Sequence, residues 1–107
     1  MDLECSLDLA TDATITLTDA LRLNQWSHVT LTWTNDADDE MTIWINGINR
    51  GSSTNGVGDA SADTATLYIG GNTTNFDGYL DEFKIFNYEL TQKQIEILVN
   101  EGASVKF

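Results

Sequence analysis

Apolar and polar residues alternate along most of the first half of the chain. Leucine and cysteine fill every second position of residues 3–9, and Ile15 and Leu17 alternate with threonines. The same period of two recurs at residues 29–33 and 41–45. Because successive side chains of a strand point to opposite faces of a sheet, this pattern predicts four strands with one buried face each.

Turn residues separate these predicted strands. Asn46-Gly47 predicts a type I′ hairpin, since both central residues of that turn need a positive φ angle. Residues 48–50 then form the return strand. We expect residues 35–40 to be a polar hairpin loop and residues 51–63 to be a long surface loop.

Two more strands are predicted in the second half, at residues 64–70 and 79–88. The second of them carries an acidic pair, Asp81 and Glu82, where a strand is usually apolar. Asp81 shares a face with Phe83 and Ile85 by the period of two, so its carboxylate is expected to point inward. A buried carboxylate needs a compensating partner.

The period changes after residue 90, which predicts a C-terminal helix. Thr91 and Gln94 have the spacing of a capping box, and Leu90 and Ile95 have the spacing of a hydrophobic staple. The apolar stripe of this helix comprises Ile95, Leu98 and Val99. Gly102 is the expected stop.

Composition narrows the possible functions. The 107 residues form one predicted domain, residues 1–107, and the abundance of threonine with little helical periodicity favours an all-β fold. Seventeen acidic and five basic residues give a net charge of −12, which argues against nucleic-acid partners and anionic membrane surfaces.

No apolar run is long enough for membrane insertion, and the first residues do not resemble a signal peptide. Cys5 is the single cysteine, so it is read as a small hydrophobic residue of a strand.

Four segments in order resemble the laminin G-like domain of the concanavalin A-like lectin/glucanase superfamily. They comprise residues 24–33 (NQWSHVTLTW), 41–47 (MTIWING), 67–71 (LYIGG) and 76–91 (FDGYLDEFKIFNYELT). The resemblance implies an antiparallel two-sheet jelly-roll sandwich, small or incomplete here, with one short C-terminal helix. It also implies a longer N-terminal half than this chain has. Since unpaired edge strands recruit partners, we expect an oligomer or a sandwich completed by another chain.

The resemblance implies a metal site at Asp81. An aspartate at this strand position in related sandwiches holds a structural calcium. The alternative is that Asp81 accepts backbone N–H groups or pairs with an arginine or lysine. Calcium needs about six to eight oxygen ligands, so calcium binding is an expectation that the other ligands must support.

The candidate ligand-binding residues lie in the two loops rich in amides and small residues. They are Asn55, Asp59, Asn72, Asn75 and Phe76. We expect Trp26 and Trp33 to be core residues, and Trp44 and Tyr68 to lie on the opposite face, covered by the helix stripe. His28 is interpreted as a structural histidine, because Ser27 beside it would point to the other face of the strand.

Two functions remain open. The first is a noncatalytic recognition module that binds a carbohydrate or a cell-surface partner. The second is a structural or assembly subunit, such as a virion decoration protein or a surface-layer protein. Catalysis is not expected, because the carboxylate-rich strand of the superfamily's glucanases has no counterpart here. Either function predicts an extracellular or particle-surface location.

Overall fold

The computed structural model describes residues 1–7, 13–34, 40–54 and 66–104. Within these residues the chain forms two antiparallel sheets and one C-terminal helix, as the alternation predicts. The first sheet pairs β1 with β2, and the second has the strand order β3-β4-β5. The elements are β1 (Leu3–Leu7), β2 (Ala13–Leu17), β3 (Val29–Trp33), β4 (Met41–Ile45), β5 (Ile48–Ser53) and α1 (Gln92–Ser104).

The register of the strands gathers the aliphatic side chains between the two sheets. Cys5 pairs with Ile15 in the first sheet, and Leu31 pairs with Ile43 in the second. Directly paired residues share a face of a sheet, so the alternating apolar positions of each sheet form one apolar face. The buried core comprises Ala13, Ile15, Ala20, Met41, Ile43 and Ile45. Leu3, Cys5, Leu17, Leu21 and Trp33 pack against it.

The hairpin between β4 and β5 forms as predicted. Asn46 and Gly47 both have positive φ angles, 53° and 81°, as a type I′ turn requires. The return strand is longer than expected, because residues 51–53 continue β5. A Cβ atom on Gly51 would lie 3.2 Å from Leu17 Cδ2, so this glycine lets the two sheets approach closely. Residues 35–39 and 55–63 of the two predicted loops lie outside the described residues.

The helix begins at the predicted capping box. The Gln94 backbone N–H donates to Thr91 Oγ1 (3.2 Å), and the Thr91 backbone N–H donates to Gln94 Oε1 (2.9 Å). Leu90 and Ile95, the two staple positions, are buried. The predicted stop at Gly102 is wrong, since the helix continues through it to Ser104.

The two strands predicted in the second half are not formed within the described residues, which begin at residue 66 in the first of them. The structure assigns no strand to residues 66–70 or 79–88, and almost every side chain there is exposed. Glu82 has a φ angle of 55°, which interrupts an extended chain in the middle of the acidic pair. Alternation identifies the faces of a strand, but its N–H and C=O groups also need a neighbouring strand. No strand among the described residues pairs with either segment.

Candidate functional site

A large cleft separates β3 from the segment that precedes the helix. Its volume is about 2090 Å³, compared with roughly 300–1,000 Å³ for a typical small-molecule pocket. Residues 26–34 line one wall, and residues 79–90 line the other. The cleft is therefore larger than a pocket that encloses one small molecule.

Aromatic rings stand in the walls of this cleft. Trp26 is 68% exposed and Tyr79 is 84% exposed, and both line the cleft with Phe83 and Phe86. The prediction that Trp26 is a core residue is therefore wrong, whereas Trp33 does pack against the core as predicted. The sequence around Trp26 contains a sign of its exposure. Trp26 lies two residues after Asn24, a turn residue with a φ angle of 58°, and does not belong to an alternating run.

Residues 70–76 form a tight loop, and its two end residues, Gly70 and Phe76, line the cleft. The Phe76 backbone N–H donates to the Gly70 carbonyl oxygen at 2.6 Å, and Gly71 and Asn75 form an isolated antiparallel bridge. Gly71 has a φ angle of 154°, and any Cβ there would collide with Asn75. The loop is thus closed by its own backbone, with glycine required at its closest approach.

The structure brings three of the predicted ligand-binding residues together in this loop. Asn72, Asn75 and Phe76 are all exposed, and Phe76 also lines the cleft. The Phe76 ring lies beside Gly78, where a Cβ atom would come within 2.8 Å of the ring. The other two, Asn55 and Asp59, lie outside the described residues.

Asp81 is on the surface rather than inside the sandwich. Its Oδ1 accepts the backbone N–H of Glu82 at 2.8 Å, so the inward orientation expected from alternation is wrong. Among the described residues, no three histidine, cysteine or acidic side chains form a group suited to a metal ion. Calcium binding at Asp81 stays a prediction. Because the Asp81 carboxylate is exposed, it does not need a metal ion to compensate a buried charge.

The face of the β3-β4-β5 sheet opposite the core carries a ladder of polar groups that satisfy one another. Trp44 Nε1 donates to Thr32 Oγ1 at 3.0 Å, and the Thr42 and Ser52 hydroxyls are 3.0 Å apart. Trp44 is half-buried, whereas Tyr68, also predicted to be covered, is exposed. Since buried hydroxyls here already have partners, we assign this ladder a structural role.

His28 and Cys5 have pKa values that reflect their packing. Burial lowers the pKa of His28 below its usual value, and the positive charge of Lys84 lowers it further. His28 Nδ1 and Thr30 Oγ1 are 3.3 Å apart and form a hydrogen bond, which fits the predicted structural role of His28. Burial raises the pKa of the Cys5 thiol, and Glu4 adds to the effect, so Cys5 stays an uncharged thiol.

The helix in the described part of the chain is too short and too polar to span a membrane.

Comparisons with known proteins agree with this architecture. No curated protein matches the chain. A crystal structure of an S-layer domain-containing protein from Clostridium thermocellum is similar, with a TM-score of 0.62, 24% identity and 92% coverage of this chain. This chain spans about half, 51%, of the length of that structure's chain. The family model described as the concanavalin A-like lectin/glucanases superfamily matches residues 3–96, which includes β1 and β2. The chain therefore belongs to the concanavalin A-like lectin/glucanase superfamily, in its laminin G-like form.

Proposed function

We propose that this chain is a noncatalytic recognition module of a cell-surface or extracellular protein, and that it binds a glycan at the loop of residues 70–76. The observation that carries the proposal is the exposed Phe76 ring in the same short loop as the exposed Asn72 and Asn75. A sugar ring has apolar faces and a rim of hydroxyls. An aromatic ring can pack on such a face, while amides donate to and accept from the hydroxyls.

The backbone of the loop supports this assignment. A recognition site binds more tightly when its groups are held in place before the ligand arrives. The 2.6 Å hydrogen bond of Phe76 to Gly70 and the Gly71–Asn75 bridge restrain the loop in this way. The aromatic residues of the adjacent cleft would extend the contact surface for a longer saccharide.

A glycan array followed by calorimetry on the best hit tests the proposal. We expect Phe76→Ala to weaken binding at least about tenfold, which corresponds to about 1.4 kcal/mol. Ile48→Ala is the matched control, because Ile48 is also an exposed apolar residue but lines neither the loop nor the cleft. Absence of wild-type binding at millimolar sugar would reject the proposal.

Running each titration with calcium and with chelator, on wild type and Asp81→Asn, tests the proposed calcium ligand at the same time.

The second candidate function is a structural module of a surface layer or particle. Two observations favour it: the similar crystal structure comes from an S-layer domain-containing protein, and large apolar side chains on both cleft walls are exposed. Exposed apolar patches of this kind mark interaction surfaces. Size-exclusion chromatography with light scattering should then give a defined symmetric oligomer without added sugar. A monomer up to high protein concentration would exclude this candidate.

A further inference from the structure

The turn between β4 and β5 contains a dipeptide that can react with itself. In an Asn-Gly pair, the glycine backbone nitrogen can attack the side-chain carbonyl carbon of the asparagine, because glycine has no Cβ atom to obstruct the approach. The sequence has two such pairs, Asn46-Gly47 and Asn55-Gly56. The second lies outside the described residues. The first lies in the type I′ turn, whose geometry decides whether the attack can occur.

The reaction of this pair needs water as its one co-reactant. The Gly47 nitrogen loses its proton to solvent and forms a bond to Asn46 Cγ. The bond between Cγ and Nδ2 breaks, and ammonia leaves after it has taken up a proton from solvent. The product is a cyclic succinimide. A water molecule then opens the ring at either of its carbonyl groups, which gives aspartate or isoaspartate at position 46.

The backbone conformation of Asn46 is the first constraint on this reaction. Its φ angle of 53° is left-handed, and in this conformation the Cβ atom lies close to the carbonyl oxygen that follows it. That oxygen and the next nitrogen lie on opposite sides of the carbonyl carbon in the planar peptide group. The Asn46 side chain therefore begins on the side away from the Gly47 nitrogen, and ring closure requires the turn to change its conformation.

Hydrogen bonds to His28 are the second constraint. The His28 backbone N–H donates to Asn46 Oδ1 at 2.9 Å, and the Asn46 backbone N–H donates to the His28 carbonyl oxygen at 2.8 Å. The first bond fixes the side-chain amide, and the second fixes the backbone of the same residue. Because rotation of the amide toward Gly47 breaks the first bond, the reacting carbon is held away from the nitrogen.

The C-terminal helix is the third constraint, since it packs on the glycine of the pair. Gly47 is buried although Asn46 beside it is exposed. Glu96 Cγ and Val99 Cγ2 lie 3.6 and 3.7 Å from the position that a Cβ atom on Gly47 would occupy. Loss of the Gly47 proton needs contact with solvent, and a change of the turn needs space. The packed helix therefore opposes both.

We propose that Asn46 is a self-modification site: helix α1 keeps it unreactive while it is packed on the turn, and release of the helix lets Asn46 convert to aspartate or isoaspartate. Isoaspartate adds one carbon atom to the main chain of a two-residue turn, and the length of that turn sets the register of β4 and β5. A transient release of the helix thus becomes a permanent change of the hairpin. The site lies outside the loop of residues 70–76, so it goes beyond the proposed function.

Incubation of the wild-type protein in buffer and in urea tests the protection. Trypsin places Asn46 and Asn55 in separate peptides, residues 23–50 and 51–84, and mass spectrometry with electron-transfer fragmentation measures aspartate and isoaspartate at each site. Asn55 calibrates the rate of an unfolded Asn-Gly pair in urea. Asn46 should react at least about 100-fold more slowly in buffer than in urea, because only locally open molecules react. Equal rates in buffer and in urea would overturn the proposal.

A matched set of variants tests whether the helix controls the site. Val99→Ala removes a contact with the turn, whereas Ile97→Ala removes an exposed side chain from the same helix. Val99→Ala should speed the conversion of Asn46 in buffer at least about fivefold and leave the rate in urea unchanged. Ile97→Ala should change neither rate.

Ile43→Ala separates release of the helix from unfolding of the whole domain. Ile43 is a fully buried residue of the core between the sheets, so its truncation lowers the global stability more than the truncation of the half-buried Val99 does. If release of the helix exposes the site, Val99→Ala should convert faster than Ile43→Ala in buffer. The reverse order would show that global unfolding exposes Asn46, and it would reject control by the helix.

Discussion

Replacing Ile43 with alanine is expected to lower the free energy of unfolding by about 2–4 kcal/mol. Ile43 lies in the central strand of the larger sheet, and its side chain is fully buried. Truncation removes apolar contacts with the facing β1–β2 sheet and leaves a cavity. For a small domain, this loss is a large share of a total stability of roughly 5–15 kcal/mol.

The matched control is Ile48→Ala, at the residue that directly follows the type I′ turn. Ile48 pairs directly with Ile45 but is 63% exposed. Both substitutions remove the same atoms from a strand and make the same change in β propensity, so their difference isolates burial. We expect the control to change the unfolding free energy by less than about 0.5 kcal/mol. Urea denaturation measures both, and equal losses would contradict a core between the two sheets.

The elements that the sequence predicts correctly have signals that act over a few residues. Asn46 and Gly47 supply the positive φ angles of their turn by themselves. Thr91 and Gln94 bond to each other's backbone within one helical turn. Alternation at Ile43 and Ile45 reports burial because β4 has a strand on each side and a sheet packed against it.

The errors concern features that distant residues decide. Trp26 is apolar and adjoins a strand, but whether it is buried depends on what covers it. Residues 79–88 contain only a short alternating run, at Phe83 and Ile85. Such a segment becomes a strand only when another segment pairs with its backbone. Glu82 shows the same limit, since no rule about residue types predicts a left-handed glutamate.

The candidate site shows the same difference between features that neighbouring residues determine and features that distant residues determine. Asn72, Asn75 and Phe76 are predicted as ligand-binding residues because they lie in a segment rich in amides and small residues, and the structure keeps them within one loop. Asp81 was predicted to face inward from its register with Phe83, but that register required a paired strand. The cleft was not predicted at all, because it results from the spacing between β3 and residues 79–90.

The helix is the second place where a single apolar side chain should have a large effect. We expect Ile95→Ala to lower the free energy of unfolding by about 2–4 kcal/mol, since the side chain is fully buried. Ile95 is one turn after the capping Thr91, and the buried Leu90 precedes the cap. Loss of the Ile95 contacts should loosen the helix from the β4–β5 turn, where Glu96 and Val99 lie beside Gly47.

Ile97→Ala in the same helix separates burial from helix propensity. Ile97 is 60% exposed, so its truncation removes little packing. Alanine is the better helix former by a few tenths of a kcal/mol, and this gain applies equally to both positions. Thermal and urea denaturation should therefore show Ile97→Ala as neutral or slightly stabilising and Ile95→Ala as strongly destabilising. If the two variants agreed within about 0.5 kcal/mol, the helix would not be fixed to the sandwich through Ile95.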